Sequence, residues 1–144
     1  MKRNKEIPIF FAIDDKYAPY ASCTITSIIE NSSKEYNYKI YLLHDNCSKE
    51  NISRISKLQC EGFDIIFKEM KEGLESITDR IENRLRCDYF TLTIYFRLFI
   101  ADMFPEYDKG IYIIFWNMCT YNIIFINGTS ICNSTNTSFF NNLK

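Results

Sequence analysis

The run Phe90-Thr-Leu-Thr-Ile-Tyr-Phe-Arg-Leu-Phe-Ile-Ala-Asp-Met-Phe-Pro-Glu-Tyr-Asp-Lys-Gly-Ile-Tyr-Ile113 decides the fold. Thr91 can cap a helix whose apolar positions 92, 95, 96, 99 and 103 share one face, and Pro105 ends it. A charged turn then leads into Ile111-Tyr-Ile113, the start of a strand. In nucleotide-binding α/β domains the ligand lies just beyond the carboxyl ends of the parallel strands, so polar residues are expected next. The chain reads Ile114-Phe-Trp116 instead.

Working outward toward the N-terminus, the same alternation of strand and helix recurs. Ile7 to Ile13 is a compact apolar run suited to a strand buried on both faces, with Pro8 tolerable only near its start. Asp14-Asp-Lys-Tyr17 is a polar loop, Pro19 fits a first helical turn, and Ala21, Ile25, Ile28 and Ile29 share a face until Asn31-Ser-Ser33 ends the helix. Tyr38 to Leu43 is a second strand followed by His44-Asp-Asn46. Ser48 can then cap a helix with Glu50 in its first turn and Ile52, Ile55 and Leu58 as its buried stripe, and Gly62 is a natural stop. Phe63 to Phe67 is a third strand, and Lys68 to Arg86 is a charge-rich amphipathic segment expected to be helical in part around Leu74, Ile77, Ile81 and Leu85. Four strands separated by helices make βαβ units and a parallel sheet, so the fold class is α/β, Rossmann-like.

Size and charge narrow the function classes. The 144 residues suit one domain, and a net charge of −1 with interspersed signs gives no electrostatic case for nucleic acid or an anionic membrane. The six cysteines, at 23, 47, 60, 87, 119 and 132, form no Cys-x-x-Cys pair and have only His44 as a potential zinc partner. They read as reduced thiols of a cytoplasmic protein. The apolar run after the basic start is broken by Pro8 and stopped by Asp14-Asp15, too short for a signal peptide or a membrane span.

Three constellations could carry chemistry. Phe11-Ala-Ile-Asp-Asp-Lys-Tyr17, at the carboxyl end of the first strand, offers a carboxylate to accept from a base N–H and a ring to stack on a flat base; it also reads as an ordinary acidic loop. Arg97, inside an otherwise apolar helix, is either a solvent-facing residue or a cation for ribose or phosphate oxygens. His44-Asp45 could pair a base with an orienting acid, but no nucleophile accompanies them.

The chain from Ile7 to Ile113 resembles glycosyltransferase family 8, the retaining nucleotide-sugar transferases that include lipopolysaccharide galactosyltransferases and glycogenin. The resemblance rests on Phe11-Ala-Ile-Asp-Asp-Lys-Tyr17 and, more specifically, on Tyr95-Phe-Arg-Leu-Phe-Ile100 through Phe104-Pro-Glu-Tyr-Asp-Lys-Gly-Ile-Tyr112. It implies a GT-A nucleotide-sugar-binding fold in which the backbone near Ala12, the Asp14 carboxylate and the Tyr17 ring hold the uracil of a UDP-sugar. Lys16 then stands at a polar base contact, and Arg97 matches the family's helix arginine near the nucleotide.

The resemblance further implies that the Ile-Tyr strand continues into Asp-x-Asp, whose carboxylates hold a divalent metal, typically manganese, on the diphosphate. Here those positions are Ile114 and Trp116, neither of which can ligate a hard cation. A metal clamp contributes several kcal/mol of transition-state stabilisation, so its loss should cost at least roughly a thousandfold in rate. From Ile114 onward the only charged residue is Lys144, and the sequence turns into Asn, Ser, Thr, Ile and Phe without a clean period.

The expectation is a partial donor-binding domain at 1–113, truncated after about four parallel strands, and an aberrant tail at 114–144 that suggests a frameshift. Such a chain would be a catalytically inactive fragment of a retaining UDP-hexose transferase with manganese lost and acceptor unknown. Alternatively it is a non-catalytic nucleotide-binding module, or a non-functional protein that self-associates through an exposed sheet edge.

Overall fold

A computed structural model describes residues 5–70, 96–116, 120–127 and 130–134. In chain order the elements are β1 (Lys5–Ile13), α1 (Ala18–Asn31), β2 (Tyr36–His44), α2 (Lys49–Ser56), β3 (Phe63–Glu69), α3 (Phe96–Met103), β4 (Lys109–Trp116), β5 (Thr120–Asn127) and β6 (Ser130–Ser134). They build one six-stranded sheet in the order β3-β2-β1-β4-β5-β6. β1 to β4 run parallel, and β5 and β6 are added antiparallel.

Sequence chemistry accounts for the elements. Pro19 sits in the first turn of α1, where its missing N–H costs no helical bond. Ser48 caps α2, its hydroxyl accepting from the Asn51 N–H, and Glu50 stands in the first turn beside the positive end of the helix. Gly62 does not stop α2, which ends at Ser56 with Lys57 as its cap. It instead adopts φ 87° in the turn before β3, a left-handed conformation that glycine enters without a steric penalty, and its carbonyl accepts from the Tyr38 N–H at 2.8 Å. The expected cap at Thr91 and the amphipathic segment from Lys68 to Arg86 lie outside the described residues beyond Met70.

Side chains of β1 alternate between two cores. Ile9, Phe11 and Ile13 join Ala21, Ile25 and Ile28 of α1 and Ile55 of α2 on one face of the sheet. Phe10 packs with Tyr41, Tyr112 and Phe104 and with Phe96 and Ile100 of α3 on the other. β1 is therefore buried on both sides, as its unbroken apolar run requires. Fully burying one such side chain stabilises the fold by about 1.5–3 kcal/mol.

The chain steps outward from β1 to β3 with α1 and α2 on one face, then crosses back past β1 to reach β4. Right-handed crossovers put the helix on the opposite face when the direction of travel reverses, and α3 is found there. One close approach completes this core. A Cβ on Gly110 would lie 2.7 Å from the Phe10 ring, so only glycine lets β4 start against that side chain.

β4 does not end at the composition change after Ile113. It runs on to Trp116, with Ile114 in register with Asn122 and Trp116 with Thr120 of β5. The edge that β4 would otherwise present is covered by β5, and β5 in turn pairs with β6.

Candidate functional site

The reversal of strand order between β1 and β4 creates the crevice where open α/β sheets take their ligands. The two strands pair from Ile9–Ile111 to Phe11–Ile113. Beyond that point β1 continues beside β2 as far as Ile13–His44, while β4 continues beside β5 to Trp116. The strands thus part at their carboxyl ends, and Ala12 lies on β1 just past the last pair.

The loop leaving β1 is folded by Asp14. Its carbonyl accepts from the N–H groups of Tyr17 and Ala18 at 3.2 and 3.1 Å, and its Oδ1 accepts from the Tyr17 N–H at 2.9 Å. One carboxylate oxygen is thereby committed to the turn, and no other described residue bonds the second. Tyr17 is half-buried, with its ring 6.0 Å from that of Tyr20, which is 43% exposed. The exposed Lys16 places its Nζ 5.9 Å from the centre of the Tyr17 ring, a cation over an aromatic face. Asp14, Lys16 and Tyr17 are therefore brought together at the mouth of the crevice beside Ala12. Arg97 is the second residue of α3, on the other face of the sheet from α1 and next to the fully buried Phe96.

Asp15 was part of the motif but not among the expected contacts, and the structure gives it a separate task. Its Oδ1 accepts from the Ser48 N–H at 2.7 Å and from Asn51 Nδ2 at 2.9 Å, and its carbonyl accepts from the same Nδ2 at 3.2 Å. The bonds from Ser48 and Asn51 hold its carboxyl below the ordinary carboxylate range. Cys47 beside it is buried, and its thiol is pushed up by that burial and then by the negative charges of Asp15 and Asp14. The thiol stays protonated and unreactive. Cys23 and Cys60 are free and exposed.

His44 closes β2 in register with Ile13 and Glu69. It is buried, its ring meets Phe67 edge-on at 6.0 Å, and its carbonyl accepts from the Met70 N–H at 2.8 Å. That is the setting of a core histidine at the end of a strand.

Positions 114 and 116 carry an isoleucine and a tryptophan, and no three His, Cys, Asp or Glu side chains cluster among the described residues. The described residues also contain no helix long and apolar enough to cross a membrane.

A sequence profile described as "Glycosyl transferase family 8" matches residues 8–113. This chain belongs to that family. A Haemophilus influenzae (strain Rd) protein assigned to the glycosyltransferases is 31% identical over 109 residues, which cover 73% of this chain and 30% of the relative. The chain thus spans less than a third of that protein. Among solved structures, the apo form of the bifunctional glycosyltransferase WbbM superposes with a TM-score of 0.60 at 28% identity, covering 76% of this chain and 18% of WbbM. The galactosyltransferase LgtC, solved with donor and acceptor sugar analogues, matches in fold with a TM-score of 0.53 at 22% identity, over 74% of this chain and 36% of LgtC. The family assignment covers both sequence blocks, and the α/β sheet is that of its GT-A neighbours.

Proposed function

We propose that this chain is the donor-nucleotide-binding part of a family 8 transferase that moves a hexose from a UDP-sugar with retention. The observation that carries the reading is the loop at the parting of β1 and β4. There a half-committed carboxylate, a half-buried aromatic ring and a cation converge. The charge of Asp14 and Asp15 disfavours a phosphate at this loop. It suits a neutral N–H donor such as the imide of uracil, with Tyr17 stacked on the base and Lys16 on a polar edge. The diphosphate then lies away from the acidic pair, with Arg97 as its cation. Ala12 contributes backbone groups where β1 has left β4.

Isothermal titration with UDP tests this, with Asp14→Ala beside the wild type. Binding by the wild type and at least a tenfold weaker Kd in the variant are expected, because a hydrogen bond to a charged acceptor contributes about 1.5–3 kcal/mol. Equal Kd values would refute the assignment of Asp14.

Catalysis is a separate matter. With Ile114 and Trp116 in place of carboxylates, we assign no metal to this chain and no turnover to it, in keeping with a cytoplasmic, inactive donor-binding fragment. A purified preparation that transfers hexose in a manganese-dependent manner would overturn the inactivity. The loss of charge after Ile113 is read as a shift of reading frame, and sequencing the DNA across the codons for Tyr112 to Trp116 checks it. A clean read with no alternative frame encoding Asp-x-Asp would refute the shift.

A further inference from the structure

Two adjacent carboxylates follow β1, and the proposed nucleotide contact uses only Asp14. Asp15 reaches sideways across 33 and 36 residues of sequence to the start of α2. Its bonds have an unusual form for a surface contact. Asn51 Nδ2 bridges the side-chain Oδ1 and the main-chain carbonyl of the same residue, while the Ser48 N–H holds Oδ1 from a second direction. Fixing both oxygens fixes the peptide plane between Asp15 and Lys16, and with it the direction in which Lys16 and Tyr17 leave the turn.

The anchor itself is firm. Ser48 accepts from Asn51 and Ile52 as the cap of α2, and Ile55 of that helix is fully buried in the core. All three bonds to Asp15 are solvent-exposed, and exposed polar pairs add little to folding stability. The bonds from Tyr17 and Ala18 back to Asp14 are local: they set the turn but do not orient it on the sheet.

We propose that Asp15 is a positioning residue for nucleotide binding, clamping the Asp14–Tyr17 loop to Ser48 and Asn51 so that Asp14 and the Tyr17 ring are held ready for the base. This rests on the nucleotide reading above. The clamp supplies preorganisation: the ordering entropy of the loop is lost on folding and not again on binding.

The test combines titration of UDP with amide exchange of the free protein, on wild type, Asp15→Ala, Asp15→Asn and Asn51→Asp. Asp15→Ala removes the acceptor, and Asn51→Asp sets a second carboxylate against it without touching the crevice. Each is expected to raise the Kd for UDP about tenfold, to speed exchange at the Tyr17 and Ala18 amides, and to leave the melting temperature within a few degrees of wild type. Asp15→Asn keeps an oxygen that both donors can reach and should stay within about twofold of wild type.

A merely structural role would lower the melting temperature and leave the Kd of the folded protein unchanged, and that result overturns the proposal. So does an Asp15→Asn variant as weak as Asp15→Ala. Wild-type protein that takes up no UDP would instead sink the nucleotide reading. In that case the exchange rates still report whether Asp15 holds the loop.

Discussion

The two ends of the parallel sheet carry polar clusters of similar make-up and opposite design. At the amino end, the Tyr107 hydroxyl donates to Glu6 Oε1 at 2.6 Å and lies 3.0 Å from the Tyr41 hydroxyl, and Lys39 Nζ is 2.9 Å from Glu6 Oε2. Both carboxylate oxygens are used, and the two tyrosine rings lean on Phe10 and Phe104 of the core. The cluster closes on itself. At the carboxyl end, Asp15 is likewise bonded, but Asp14 keeps one oxygen free of described partners, and Lys16 and Tyr20 are exposed. A closed network stabilises a fold and gives a ligand nothing to hold. An open one beside a parting of strands is where a ligand finds unsatisfied groups.

The largest break in this comparison is expected at Gly110, on the amino-end side of β4. Gly110→Ala would drive a methyl group to 2.7 Å from the ring of Phe10, which is 1% exposed and stacked on Tyr41. Overpacking of this kind costs about 1–3 kcal/mol. Denaturant unfolding should show that loss, while the folded variant still binds UDP like wild type. A variant as stable as wild type would mean that Phe10 has room to move. Asp14→Ala sharpens the contrast from the other end, with UDP affinity falling at least tenfold and stability changing far less.

Tyr107→Phe comes next. It removes the donor to Glu6 and the partner of Tyr41 but keeps the ring in the core. A loss of about 1 kcal/mol is expected by chemical denaturation, because the bond ends on a solvent-exposed carboxylate that water solvates once the donor is gone. If the variant also weakened UDP binding, the two ends would be coupled and the contrast between them would fail.

Legibility of the sequence followed the range of the interactions. Strands β1 to β4, the Pro19 start of α1 and the Ser48 cap depend on residues within one or two turns of each other, and all were readable. The Asp15 clamp joins residues 33 and 36 apart, and the Tyr107–Glu6 bond joins residues 101 apart, so no local pattern announces either. The doubled Asp after a strand was the one available hint. Strands β5 and β6 went unseen for another reason. Thr120-Tyr-Asn-Ile-Ile-Phe-Ile-Asn127 is rich in β-branched and aromatic residues, yet it does not alternate, and pairing with β4 supplies what periodicity did not announce. Asp14, Lys16 and Tyr17 are near neighbours in sequence, which is why one loop carries all three.

The smallest effect, and the finest probe of the closed cluster, is its pH dependence. The Tyr107 hydrogen bond, and after it Lys39, holds the Glu6 carboxyl below its ordinary value of 4.5. A carboxylate with a depressed folded value contributes stability that is complete above its unfolded value and lost as pH falls through the folded one. Lys39 and Tyr107 are shifted the other way, Lys39 chiefly by its bond to Glu6 and Tyr107 chiefly by burial. Their contributions are complete below their ordinary values of 10.5 and 10.0 and fade as pH rises past them. The cluster is therefore at full strength between about pH 5 and 9 and weakens on both sides. Tyr107→Phe removes the main cause of the Glu6 shift, so its melting temperature should fall less steeply than that of wild type as pH drops below 4.5. Parallel acid limbs for the two proteins would show that Lys39 alone keeps Glu6 ionised. Asp15 at the other end also has a depressed carboxyl and is untouched by the substitution, so its share of the acid limb cancels in the difference between the two proteins. What remains is the part of the acid sensitivity that belongs to the amino-end network.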